Sequence, residues 1–108
     1  MWKFPDNCWV GISIDGVSTS LEGIKDLISC SAKVKFVSFE PLLGEEHPTL
    51  NGVDWVIIGG CTGPKPFTPP KEWVEIIIKE ARRVGAAIFL KNNLGYPEKI
   101  QQFPEVGK

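Results

Sequence analysis

The sequence predicts an α/β domain: a parallel sheet of four strands with two main helices, either open or a piece of a (β/α) barrel. Three observations lead there. Four short runs rich in β-branched and aromatic residues follow one another along the 108-residue chain. Two of the three intervals between them carry a helical apolar stripe, and a crossover containing a helix joins parallel strands. Polar residues gather at the end of each run on one face of the alternation, where parallel strands would bring them to one edge.

Trp9 to Asp15 alternates with the two-residue period of a strand, and Gly16 breaks it. Thr19-Ser20-Leu21-Glu22 has capping-box spacing, with Thr19 at the cap and Glu22 reaching back to it. Leu21, Ile24, Leu27 and Ile28 then form the stripe of a short helix ending near Cys30. The second strand runs from Val34 to Glu40 and is closed by Pro41, which has no N–H for a ladder. Gly44 to Gly52 reads as a loop. The third strand, Val53 to Ile58, ends in Gly59-Gly60, and Cys61 to Pro70 is a Pro/Gly/Thr loop. Thr68 is the expected N-cap of a helix from Pro69 to Val84, with Pro69 in its first turn. Trp73, Ile76, Ile77, Ala81 and Val84 share a face there, Ile78 falls outside it, and Gly85 ends the helix after Arg82 and Arg83. The fourth strand is Ala87 to Lys91, followed by Asn92-Asn93. Residues 1–95 form the α/β domain, and residues 96–108, with Pro97, Pro104 and Gly107, read as a polar tail.

Side chains two apart in a strand share a face. One face collects Val10, Ile12 and Ile14, then Val37 and Phe39, Val56 and Ile58, and Ile88 and Leu90. It is apolar throughout, as packing under helices requires. The other begins with Trp9, Phe36, Trp55 and Phe89 and ends in small or polar residues: Ser13 and Asp15, Ser38 and Glu40, Gly59, and Lys91. Gly60, Thr62 and Asn92, just past the strand ends, join this rim. Taken singly each has a structural role: Asp15 at a helix start, Glu40 in a turn, Lys91 reaching solvent along its stem. Together they form a candidate ligand site at the edge where parallel sheets bind ligands, with Asp15, Glu40 and Lys91 supplying charge for an amine or a carboxylate.

Composition narrows the setting. With 43% hydrophobic and 23% charged residues the chain resembles an ordinary globular domain. Twelve basic against thirteen acidic residues give a net charge of −1, so nothing in the balance indicates nucleic acid or an anionic membrane. No apolar run approaches the roughly 18 residues of a membrane span. Met1-Trp2-Lys3-Phe4-Pro5-Asp6 lacks an apolar signal core, so the expected location is the cytoplasm. Cys8, Cys30 and Cys61 form no CxxC, and His47 is the lone histidine. Reduced thiols are expected, with neither a disulfide framework nor a zinc site.

Four blocks occur in a recognisable order: Trp9-Val10-Gly11-Ile12-Ser13-Ile14-Asp15, Val37-Ser38-Phe39-Glu40-Pro41-Leu42-Leu43-Gly44, Val53-Asp54-Trp55-Val56-Ile57-Ile58-Gly59-Gly60 and Phe89-Leu90-Lys91-Asn92-Asn93-Leu94-Gly95. Over residues 5–95 they resemble the C-terminal half of a phage-type and archaeal protein family of unknown function, itself similar to radical S-adenosylmethionine (SAM) proteins. The resemblance implies a partial (β/α) barrel, with SAM and an iron–sulfur cluster in a complete assembly and the cluster's three-cysteine motif upstream of the matched segment. It places Ser13, Asp15, Ser38, Glu40, Gly59, Gly60 and Lys91 on the cavity wall. Where the family often has Gly-Gly-Glu-Ser-Gly, this chain reads Gly59-Gly60-Cys61-Thr62-Gly63, so that acidic position is lost.

The three cysteines do not replace the upstream motif. Cys8 and Cys30 fall at the amino end of the sheet and Cys61 at the carboxyl end, separated by a strand length of about 17–20 Å. No cofactor is therefore expected in this chain alone. Two helices cover one sheet face and leave Trp9, Phe36, Trp55, Ile57 and Phe89 on the other, an apolar patch of the kind that marks an interface. The expected partner is a second copy or a cluster-bearing chain. Three functions follow: the substrate-side half of a radical-SAM-like barrel, a non-catalytic small-molecule or protein-binding module, or a self-standing enzyme using Asp15, Glu40 and Lys91.

Overall fold

Strands adjacent in sequence are adjacent in space. The computed structural model describes residues 8–16 and 21–104. In it β1 (Trp9–Ser13), β2 (Val34–Phe39), β3 (Trp55–Ile58) and β4 (Ala87–Leu90) form one sheet in the order β1-β2-β3-β4, every pair parallel. The strands are one or two residues shorter than the alternation suggests, because ladder pairing stops before Asp15, Glu40 and Lys91 and begins only at Trp55 in β3. α1 (Gly23–Ser29) lies between β1 and β2, and α2 (Lys71–Val84) between β3 and β4. The chain between β2 and β3 has no helix; it buries Leu42, Leu50 and Val53 instead.

Both helices pack on the same sheet face. Val37, Phe39, Val56, Ile58, Ile88 and Leu90 form one core cluster with Ile24 and Leu27 of α1 and Val74, Ile77, Ile78 and Ala81 of α2. Val10 and Ile12 of β1 are only partly buried against it. The expected capping residue Thr19 lies outside the described residues. Glu22 occupies the N-cap of α1 and makes no side-chain capping bond.

The buried face of α2 differs from the expected one. Its stripe is Val74, Ile77, Ile78 and Ala81, the i, i+3, i+4, i+7 set, while Trp73 and Val84 flank it partly buried. Ile78 thus lies on the sheet-facing stripe, not outside it. Pro70, not Thr68, occupies the N-cap, and the helix begins at Lys71. At the other end Gly85 takes φ 77°, the left-handed conformation that glycine adopts without a Cβ penalty, and its N–H bonds the Ala81 and Arg82 carbonyls.

Residues after β4 are ordered onto the sheet. A short 3₁₀ turn (Asn92–Leu94) precedes a segment that runs back along β4 antiparallel, with Phe89 bridged to Gln101. Leu90 N–H donates to the Ile100 carbonyl at 2.7 Å and Gln102 N–H to the Ile88 carbonyl at 2.7 Å. Ile100 is buried. The segment expected to be a polar tail therefore closes the outer edge of β4, while among the described residues no strand pairs with the outer edge of β1.

Candidate functional site

The face away from the helices is aromatic along its middle. Trp55 sits at the centre, with ring centroids 5.8 Å from Trp9, 5.7 Å from Phe36, 6.4 Å from Phe89 and 5.4 Å from Phe103. Phe36 lies across Gly11, where a Cβ would fall 2.3 Å from the ring. The Trp55 indole N–H donates to the Gln102 carbonyl at 2.9 Å, which fixes the C-terminal segment beside the cluster. Trp9 and Phe103 remain 40% and 64% exposed, so the face is only partly covered.

At the carboxyl ends of the strands this face turns polar. Lys91 Nζ lies 2.7 Å from Glu40 Oε2, an ion pair joining the residue after β2 to the residue after β4. Between them stands Gly59, where a Cβ would lie 3.1 Å from Glu40 Cγ and 3.3 Å from its carboxylate. Glycine is thus what lets the Glu40 side chain lie across the end of β3 toward Lys91. Ser38 Oγ is 3.5 Å from Glu40 Oε1, the outer limit of a hydrogen bond, and Ser38 is in register with Ser13 across the β1–β2 ladder. The Glu40–Pro41 peptide bond is cis. Side-chain exposures of 30% for Glu40 and 43% for Lys91 leave both charges within reach of solvent.

The remaining candidates divide. Asp15 is half-buried, and its carbonyl accepts the Leu43 N–H at 2.7 Å, tying the end of β1 to the loop after β2. Gly60 is buried under a clamp that sequence reasoning missed: Asn93 Oδ1 accepts the Gly60 N–H and Asn93 Nδ2 donates to the Gly60 carbonyl, both at 3.1 Å. Asn92 turns toward the C-terminal segment, its Oδ1 accepting from Gln101 Nε2 at 3.2 Å. Thr62 is exposed on a loop closed by paired backbone bonds between Cys61 and Phe67. The structure therefore brings Ser38, Glu40, Gly59 and Lys91 together, with Ser13 beside Ser38. Neither Asn92 nor Thr62 joins the Glu40–Lys91 pair.

A groove of about 320 Å³ lies on the helix side between α1 and the β2–β3 loop. Leu21, Ile24, Ile28, His47 and Thr49 line it, and it contains none of the rim residues. Near it Glu80 accepts the Leu50 N–H at 2.8 Å and pairs with Arg83 at 2.7 Å. Hydrogen bonds from the Arg83 guanidinium and then from Leu50 hold the Glu80 carboxyl down at about 2.

Cys8 immediately precedes β1 and Cys30 caps α1, at the amino end of the sheet, whereas Cys61 follows β3 at the carboxyl end. Among the described residues no three His, Cys, Asp or Glu side chains converge to hold a metal. No helix among them is long and apolar enough to cross a membrane.

A parallel α/β sheet with helices on one face and a charged rim on the other defines the class of this protein. The family model described as "Protein of unknown function (DUF5131)" matches residues 1–105, and the chain belongs to that family. That description names no activity and no link to radical SAM proteins. No curated protein and no solved structure matches the chain.

Proposed function

We propose that the chain is the ligand-facing half of a (β/α) barrel of radical-SAM-like kind, completed by a second chain, with a small molecule held at the rim of Ser38, Glu40, Gly59 and Lys91. One observation carries the ligand-site reading. Opposite charges meet across a bare glycine at the carboxyl ends of parallel strands, on the face opposite α1 and α2, and that is where α/β folds take ligands. The strand order supports a barrel piece, since it runs β1-β2-β3-β4 without the reversal of a doubly wound sheet.

The radical-SAM-like kind rests on the four sequence blocks alone. The cysteines of this chain do not fit an iron–sulfur cluster, lying at opposite ends of the sheet with no converging donor set among the described residues. On this reading the cluster belongs to the completing chain, and no chemical step through it is assigned to these residues. The second reading, a non-catalytic binding module, is favoured by the ion pair itself, because Glu40 and Lys91 neutralise one another and neither stands as a lone acid or base.

Nitrogen-15 NMR of the chain during titration with small carboxylates, amines, amino acids and neutral compounds tests the site. Amide shifts centred on Ser38, Gly59, Gly60 and Lys91 are expected. Shifts confined to the groove around Ile24 and His47, or none with any compound, overturn the rim as the site. Anaerobic iron–sulfur reconstitution of the chain alone is expected to yield no cluster, and a stable cluster would overturn the division between two chains.

A further inference from the structure

We infer that the rim recognises the α-ammonium and α-carboxylate of an amino acid carrying a large apolar side chain. This rests on the rim being the ligand site and names what it takes. An anion approaching Lys91 alone meets the Glu40 carboxylate 2.7 Å from the same ammonium, and a cation approaching Glu40 alone meets Lys91. A ligand that brings both charges leaves neither partner uncompensated. In an amino acid the two charged groups are borne on one carbon, a separation that matches a closely spaced Glu–Lys pair.

Separating the pair costs little, because ion pairs with this much solvent access are weak. Each released group then makes a charge-assisted hydrogen bond of its own, Glu40 to the ammonium and Lys91 to the carboxylate. β3 contributes no side chain between them, since the space over Gly59 is taken by the Glu40 side chain itself, which moves aside when the pair separates.

The floor next to the rim sets the side chain. Two residues before Ser38, Gly59 and Lys91, on the same face, stand Phe36, Ile57 and Phe89, roughly 6.6 Å away along the strands. All three are half-buried, and Trp55 lies behind them against both Phe36 and Phe89. A ligand anchored by its charges at the rim would lay an aromatic or long aliphatic side chain on these rings. A ligand without one leaves that apolar surface wet.

The test compares L-phenylalanine with phenylalaninamide, N-acetyl-phenylalanine and glycine by amide shifts of Ser38, Gly59 and Lys91. Saturable binding of L-phenylalanine is expected, with each of the other three roughly tenfold weaker or more. Glu40→Gln and Lys91→Gln, which leave the rest of the spectrum in place, are expected to weaken L-phenylalanine by a similar factor. A blocked analogue that binds as tightly as L-phenylalanine overturns recognition of both charges, and glycine binding as tightly overturns the apolar side chain. Rim shifts with simple carboxylates or amines but none with L-phenylalanine overturn the amino-acid class and leave the site standing. Silence toward every compound overturns both.

Discussion

Glu40 and Lys91 form a pair with substantial solvent access, and Glu80 and Arg83 form another with a very different setting. Among the described residues no backbone group bonds to the Glu40–Lys91 pair, so Glu40→Gln or Lys91→Gln is expected to change unfolding free energy by less than about 1 kcal/mol. Urea unfolding checks this, and a larger loss would mean that the pair is structural. Glu80, 17% exposed, also accepts the N–H of the fully buried Leu50. Its folded carboxyl is lowered from 4.5 to about 2, so the stability it contributes is complete above about 4.5 and is lost as pH falls toward 2. The stability gap between the native chain and Glu80→Gln is therefore expected to narrow across that window, measured by unfolding at a series of pH values. A gap independent of pH would contradict it. The parity of Glu40, Gly59 and Lys91 was legible because a two-residue period fixes which face each occupies. The Asn93 clamp on Gly60 was not, since it depends on a 3₁₀ turn that no periodicity announces.

α2 shows how a helix with several apolar residues leaves its buried face ambiguous. Trp73, Ile76, Ile77, Ala81 and Val84 make one plausible stripe and Val74, Ile77, Ile78 and Ala81 another, overlapping at two positions. Contact with β3 and β4 selects the second. Ile77→Ala is accordingly expected to cost about 2–5 kcal/mol, the range for emptying a packed site, and the half-buried Ile76→Ala distinctly less. Equal losses in chemical unfolding would return the helix to the other orientation. The segment from Ile100 to Phe103 escaped sequence reading because it is short and two of its residues are glutamines. It nonetheless donates and accepts along β4 and buries Ile100. Removing residues 100–108 is expected to lower stability by about 3–5 kcal/mol, from one buried aliphatic side chain and the lost ladder and indole bonds. Thermal or urea unfolding of the shortened chain reads this directly, and unchanged stability would show that the segment is not held on the sheet.

For the molecule as a whole, the parallel topology and the one-sided placement of helices were legible, because helical stripes between β-type runs admit few other arrangements. What completes the uncovered face is a question of area. Four strands at about 4.8 Å spacing and five residues at about 3.3 Å give roughly 300 Å² per molecule, or about 600 Å² for two copies face to face. Stable complexes bury about 1,200–2,000 Å². Self-association through this face alone is therefore expected to be weak, with monomer dominant at about 10 μM in sedimentation velocity. A dimer persisting well below that concentration would favour a second copy over a different completing chain. The two flanks of the sheet are also unlike: the Ile100–Gln102 segment seals one, and on the other, where no strand pairs among the described residues, Trp9–Ser13 carries no charge or proline to discourage pairing. Among the described residues, an incoming strand, native or aberrant, therefore finds its berth beside Trp9.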